Sequence, residues 1–336
     1  MRHLANAMLF VMAIWAAIAC RGPEAREAVI KPQPPVLTSG QSEAGEHISL
    51  ESPYRPRAHT YRGQLHAHTT NSDGHQPPKE FVTAYKNAGY DFMAITDHDH
   101  ATPDPGVPGI LFLHGMENED GCHHENRINR HAVAAGAPHP QLLVDEANGE
   151  GSFVQINHPD WPGKYPSNPC WSDKDLLAMH GYDAVEVWNA SDISDGDPNA
   201  ETRIDFLLSH GKRTYLTAVD DCHDVRYSYC LTSSVMVSAD ALTQDDILAN
   251  LKSGNFYATR GALILSISVS DRRISASLPR SCDVEYVVAG GKVAMTEHAV
   301  TASHYDADGT ERYVRLRISC GGDTMAWSNP IYVSVR

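Results

Sequence analysis

The 336-residue chain is predicted to be an α/β protein, a barrel of β/α units followed by a small all-β domain. Three observations support this. From residue 59 onward, short apolar runs alternate with helical patterns, which implies parallel β/α units. Seven or so such units fall between residues 59 and 260, which favours a barrel over an open sheet. After Thr259-Arg260-Gly261 the helical patterns stop, and period-two segments separated by Gly, Asp and Asn take over.

Residues 1–20 read as a signal peptide: Arg2 and His3 precede an apolar run from 7 to 19. That run is shorter than the ~20 residues a spanning helix needs. Ala17-Ile18-Ala19-Cys20 is similar to a bacterial lipobox, which would place a lipid on Cys20, with simple cleavage near Ala19 as the alternative. Residues 21–57 carry Pro23, Pro32, Pro34, Pro35, Pro53 and Pro56 with no sustained periodicity, and read as an extended tether. Within the barrel region 58–260, strands are expected at 61–68, 91–97, 110–116, 153–158, 184–188, 214–219 and 234–237. Helices are expected at 77–88, 140–148, 173–180, 199–210 and 243–252. The first begins with two prolines, where a missing N–H is harmless. Period-two segments at 263–269, 284–288, 313–319 and 331–335 make residues 261–336 an all-β, sandwich-like domain.

Composition narrows the function. Forty-two acidic against 27 basic residues give a formal net charge of -15, which argues against a sequence-independent nucleic-acid binder. An apolar share of 42% with 21% charged residues suits a packed core rather than disorder. The 19 histidines outnumber Phe and Met combined, and imidazole is the commonest metal ligand. If Cys20 is lipidated, six cysteines remain, enough for up to three disulfides in an exported protein. Cys282 with Cys320 is the preferred pair, and Cys222 with Cys230 would close a short loop.

The histidines do fall at ligand spacing. His66 and His68 are two apart on a predicted strand and therefore share a face at its C-terminal end. Asp97-His98-Asp99-His100 ends the next strand, and Glu117 follows the one after. His131, His158 and the cluster Asp220-Asp221-Cys222-His223 come later in the same order. A single polar residue at a strand end is ordinary. Recurrence at five or six successive strand ends is how a barrel mouth assembles a multinuclear metal site.

Six motifs in order carry a resemblance to the PHP (polymerase and histidinol phosphatase) family. They are HAHTTNSDG at 66–74, ITDHD at 95–99, GMENE at 115–119, HAV at 131–133, NHP at 157–159 and VDDCH at 219–223. The last departs from the family's usual GSDAH, with Val219 and Asp220 replacing Gly and Ser. LKSGNFYATRG at 251–261 and the 313–333 stretch resemble the extracellular, carbaryl-hydrolase-like branch.

The resemblance implies a distorted (β/α)7 barrel holding two or three divalent ions, Zn, Mn or Fe. His66, His68, Glu117 and Asp221 would bind the first. Glu117 would bridge to a second completed by His131 and His158, and Asp73, His98 and His223 would serve a third. Asp97 and Glu186 would orient imidazoles. A metal-bridging hydroxide held by Glu117 and Asp221 would be the nucleophile, so no Ser or Cys nucleophile is required. Arg226 and Tyr227, just past the last motif, could contact a substrate phosphate, as could Arg127, Arg130 and Lys164.

These residues point to an exported, periplasmic or outer-surface metal-dependent hydrolase of small phosphate mono- or diesters. It would touch the membrane only through a lipid on Cys20. Carboxyl-ester or carbamate hydrolysis at the same ions is the second reading, and a non-catalytic metal- or glycan-binding lipoprotein the third. A small-molecule substrate is expected, with no nucleic acid, and the oligomeric state is left open.

Overall fold

The computed structural model describes residues 32–41, 45, 47–129, 131, 139–162, 170–194 and 197–336. The expected signal peptide, Cys20, Arg130 and Lys164 lie outside them. No helix among the described residues is long and apolar enough to cross a membrane.

In chain order the strands are β1 (Val36–Gln41), β2 (His47–Ser52), β3 (His59–Gln64), β4 (Phe92–Ile95), β5 (Leu111–Asp120), β6 (His123–Asn129), β7 (Phe153–Ile156), β8 (Ala184–Asn189) and β9 (Tyr215–Val219). They continue with β10 (Ser234–Ala239), β11 (Phe256–Arg260), β12 (Ser266–Ser270), β13 (Arg273–Val288), β14 (Lys292–Asp306), β15 (Tyr313–Ser319), β16 (Met325–Ser328) and β17 (Ile331–Val335). Among the described residues five α-helices are interleaved: α1 (Pro78–Asn87), α2 (Pro140–Gly149), α3 (Asp173–Ala178), α4 (Glu201–Ser209) and α5 (Gln244–Lys252).

Helix starts follow the local chemistry. α1 carries Pro at its first position, Glu80 in the first turn and Lys86 in the last, so its charges oppose the helix dipole. It buries Phe81, Val82 and Tyr85. α3 opens on a capping box between Ser172 and Asp175, and the Thr243 side chain caps α5. β4 and β7 are buried at every position, as strands covered on both faces must be. Gly63 on β3 belongs to this packing, because a Cβ there would meet the Phe92 ring at 2.0 Å.

The pairing differs from seven parallel units. β3, β4 and β5 run parallel, β5–β6 and β6–β7 are antiparallel, and β7, β8 and β9 are again parallel. The ring is not closed by a ladder. Between β3 and β9 the described residues show a single bridge beyond the strand ends, Ala67 to Cys222. There His68 N–H donates to the Cys222 carbonyl at 3.0 Å. The other edge of β3 is taken by β10, antiparallel. The expected distorted (β/α)7 barrel is not confirmed: the sheet is mixed and not closed. The mixed direction has a local reason: Gly121, at φ 69°, turns the chain straight back from β5 into β6, a strand not expected from the sequence, before the expected helix α2 leads to β7.

The C-terminal strands continue the same sheet. β11 pairs with β10 and β16, and β15 joins β16 to β13 and β17. Val36–Gln41 and His47–Ser52, expected within the tether, are strands: β1 pairs with β2, and β2 with β17. Ile48 and Leu50 are fully buried among the C-terminal strands, which outweighs the tether-like composition around them. A buried charge network fastens this region to α4. Arg315 Nη2 lies 2.6 Å from Asp205 and 2.8 Å from Glu201, with Tyr313 donating to Asp205 at 2.9 Å. Among the described residues two disulfides are present, Cys222–Cys230 and Cys282–Cys320, both pairs named from the sequence.

Candidate metal centre

The ends of β3, β4, β5, β7, β8 and β9 converge on one cavity of about 380 Å³. Past β3, His66 and His68 are fully buried and bring their Nε2 atoms within 3.1 Å of each other. Both face the same two carboxylates. Glu117 Oε2 is 3.2 Å from His66 and 3.1 Å from His68, and Asp221 Oδ1 is 3.3 and 3.1 Å away respectively.

The second oxygen of Glu117 looks the other way. Oε1 stands 3.1 Å from His124 Nδ1 and 3.3 Å from His158 Nε2, and accepts from Asn157 Nδ2 at 2.7 Å. A third grouping gathers around Asp73. Its Oδ2 is 3.5 Å from His98 Nε2 and 3.4 Å from His223 Nε2, while Oδ1 is 3.6 Å from His68 Nδ1. The loop that returns Asp73 to the site needs Gly74, where a Cβ would lie 2.2 Å from the His68 carbonyl oxygen. Glu119 Oε1 sits 2.6 Å from His98 Nδ1, on the cavity wall.

Supporting groups hold this geometry. Glu186 Oε1 is 2.7 Å from His66 Nδ1, which directs the ring's Nε2 at the cluster, and it accepts from Gln155 at 2.7 Å. Glu186 Oε2 accepts from the His158 backbone N–H at 2.6 Å and from Asn189 at 2.9 Å. His158 and Asp221 take φ of 27° and 48°, left-handed values that cost energy for side-chain-bearing residues and are sustained by these contacts.

The charges are mutually compensating. Burial opposes charge on Glu117, yet His66, His124 and His158 outweigh it and hold the carboxyl well below its usual range. Asp221 is lowered in the same way, against burial, by His66, His68 and His223. Burial likewise opposes protonation of His66, but Asp221, Glu117 and Glu186 raise it well above the ordinary imidazole value. His223 is pushed up to about 9, with Asp73 and Asp221 outweighing burial.

The donor set suits divalent cations. Asp221 Oδ1 and His158 Nδ1 are buried and accept or donate no hydrogen bond among the described residues. Four groups of imidazole nitrogens and carboxylate oxygens each converge within 4.8 Å: His68–Asp73–His98–His223, His66–His68–Asp221, His66–Glu117–His158 and His98–Glu119–His124. Two faces of one carboxylate serving two histidine sets is an arrangement for ions sharing Glu117.

Eight of the nine expected ligands are brought together. The exception is His131, which is exposed, belongs to none of these groups and acts electrostatically on His114. From His124 the antiparallel strand β6 has already carried the chain roughly 17 Å away by Asn129, at ~3.4 Å per residue. His124 stands beside Glu117 instead. The sequence held the signal, because pairing across Gly121 sets Glu119 opposite His124. Glu119 and Trp161 were also missed; the Trp161 ring lies 5.4 Å from His124 and 5.2 Å from His158.

Of the two expected orienting carboxylates, Glu186 holds an imidazole and Asp97 does not. Asp97 accepts from Thr69 N–H and hydroxyl and from the Ser72 hydroxyl at 2.6, 2.8 and 2.9 Å, so it shapes the 69–74 loop. Arg226 and Tyr227 do not line the cavity. Arg226 Nε donates to Asp224 at 2.8 Å, and the exposed Tyr227 ring lies 5.4 Å from Tyr229. Arg127 is buried and donates to Asn118 at 2.6 Å.

No family model matches the sequence, and no curated protein does. Among solved structures, the chain is similar to a two-domain protein of Bacteroides vulgatus containing a predicted PHP-like metal-dependent phosphoesterase. That match has 16% identity over 91% of this chain and 99% of the other, with a TM-score of 0.49. It is also similar to the lesion-specific endonuclease Q of Pyrococcus furiosus, at 15% identity over 58% and 56% of the chains and a TM-score of 0.42. An amidohydrolase of Chromobacterium violaceum matches at 17% over 48% and 87%, with a TM-score of 0.36. Likeness at this level assigns neither metal nor substrate.

Proposed function

We propose that the protein is a metal-dependent hydrolase of the PHP type that its motifs resemble, acting on small phosphate mono- or diesters. The observation that carries this is Glu117, whose two oxygens face two separate histidine sets inside one open cavity. His66, His68, Glu117 and Asp221 would hold one ion, and Glu117, His124 and His158 a second. Asp73, His98 and His223 would hold a third. Divalent ions there would acidify a water and polarise a phosphoryl or carbonyl oxygen. The protein's own part is to fix the ligand directions through Glu186, Asn157 and Asn189, and to wall the site with Trp161. Zn, Mn and Fe all suit nitrogen and oxygen donors. Carboxyl-ester or carbamate hydrolysis is the second reading. It is favoured by the tie between Arg226 and Asp224, which keeps that guanidinium from a phosphate dianion.

Action outside the cytoplasm belongs to the proposal, with the two disulfides as support. So does a lipid on Cys20, to be read from the mass of the N-terminal peptide. The test of activity is elemental analysis alongside assays on aryl phosphate mono- and diesters and aryl carboxyl esters. At least two ions per chain and turnover of one class, abolished by chelation, is the expected result. Fewer than two ions and no turnover of either class would overturn the reading.

A further inference from the structure

Cys122 and Cys170 are the two described cysteines outside the disulfides, one half-buried and one buried. They lie 48 positions apart by numbering, on different elements, yet the fold brings their segments together. Cys122 is in the β5–β6 turn, next to Gly121. Cys170 precedes α3, and its backbone N–H donates to the Trp161 carbonyl at 3.0 Å. The next residues in each segment touch: the His123 and Trp171 rings are 4.5 Å apart, and His123 Nε2 is 3.8 Å from Asp175 of α3.

We propose that Cys122 and Cys170 form a third native disulfide, joining the tip of the β5–β6 hairpin to the segment before α3. The chain already carries two disulfides, so it matures where thiols are oxidised. The oxidant is a disulfide of the glutathione or thiol-oxidoreductase class. Cys122, the more accessible thiol, attacks one sulfur of that disulfide as a thiolate, and the other sulfur leaves as a thiolate. The Cys170 thiolate then attacks the Cys122 sulfur and expels the oxidant's remaining half. Two electrons pass to the oxidant, and the two thiol protons end on its two sulfurs. Burial, with the Cys122 thiol, pushes the Cys170 thiol up to about 12.

The position gives the bond a purpose. The hairpin tip carries Glu119 and His124 on its two strands, opposite one another. Trp161, whose carbonyl accepts the Cys170 N–H, packs against His124 and His158. A cross-link here fixes one wall of the cavity without touching any proposed ligand.

The experiment uses the full chain, equilibrated in a glutathione redox buffer, alkylated under denaturing conditions and mapped by peptide mass spectrometry. The expected result is loss of two alkylation sites and one linked peptide pair containing Cys122 and Cys170, alongside Cys222–Cys230 and Cys282–Cys320. Alkylated Cys122 and Cys170 in protein whose other two pairs are oxidised would overturn it. A link from either residue to Cys20 would do so as well. The map needs neither bound metal nor activity, so its failure is separable from failure of the hydrolase reading.

Discussion

His124 Nδ1 stands 3.1 Å from Glu117 Oε1, on the opposite side of that carboxylate from His66 and His68. This contact makes Glu117 the hinge of two histidine sets, because its Oε2 faces His66, His68 and His98. His124→Ala should therefore lower bound metal by about one ion and turnover by more than ~100-fold, since removing even an outer partner of a ligand typically costs 10–100-fold. His131→Ala should leave both unchanged. Elemental analysis and turnover of the two variants decide it, and the reverse pattern would restore the sequence-based assignment.

Glu186 acts through His66 rather than on substrate. It fixes the His66 tautomer at 2.7 Å and simultaneously holds the strained His158 backbone. Glu186→Gln should weaken metal binding about 10–100-fold. Titration of the metal-free protein with Zn or Mn, followed by calorimetry, reads this directly. Unchanged affinity would reduce Glu186 to a packing role.

The buried network at α4 predicts an acid-sensitive fold. Burial opposes the charge of Glu201, but Arg315 and Arg317 outweigh it and hold the carboxyl below its ordinary 4.5. A carboxylate depressed on folding stabilises the native state above its ordinary value, and that contribution is lost as pH falls through the lower folded value. Glu201→Gln should thus lower Tm near neutrality, and its difference from wild type should shrink below about pH 4.5. Arg315→Met should cost more, about 3–5 kcal/mol, because Asp205 and Glu201 stay buried without their cation. Thermal unfolding from pH 3 to 7 checks both.

The two disulfides should contribute unequally. Their sequence separations are 8 and 38. Loop closure then favours Cys282–Cys320, about 4 kcal/mol against about 2.5 for Cys222–Cys230. Activity should rank in the opposite order, because Cys222 follows Asp221 directly. Denaturant unfolding and turnover of the paired Cys→Ser variants test the two rankings separately.

Much of the element order was legible in the sequence. The helices at 77–88 and 243–252 match α1 and α5 to within a residue or two, and 313–319 and 331–335 coincide with β15 and β17. Those segments have strong periodicity, caps or both. β6 was not legible, because His124, Glu125, Asn126 and Arg127 form a buried strand of polar side chains with no apolar alternation to read. β1 and β2 were hidden for another reason. β2 finds its partner β17 at the far end of the chain, which no local pattern announces.

The sequence by itself determined which chemistry is present. Histidines and carboxylates at successive strand ends are local facts, since alternation along a strand fixes which side chains share a face. Tertiary structure decided which of them meet. It chose His124 over His131, turned Arg226 to Asp224 and left the ring of strands open between β3 and β9. The physical reason is that one tight turn at Gly121 reverses the chain's direction, and which histidine then arrives at Glu117 depends on strand register across the whole sheet.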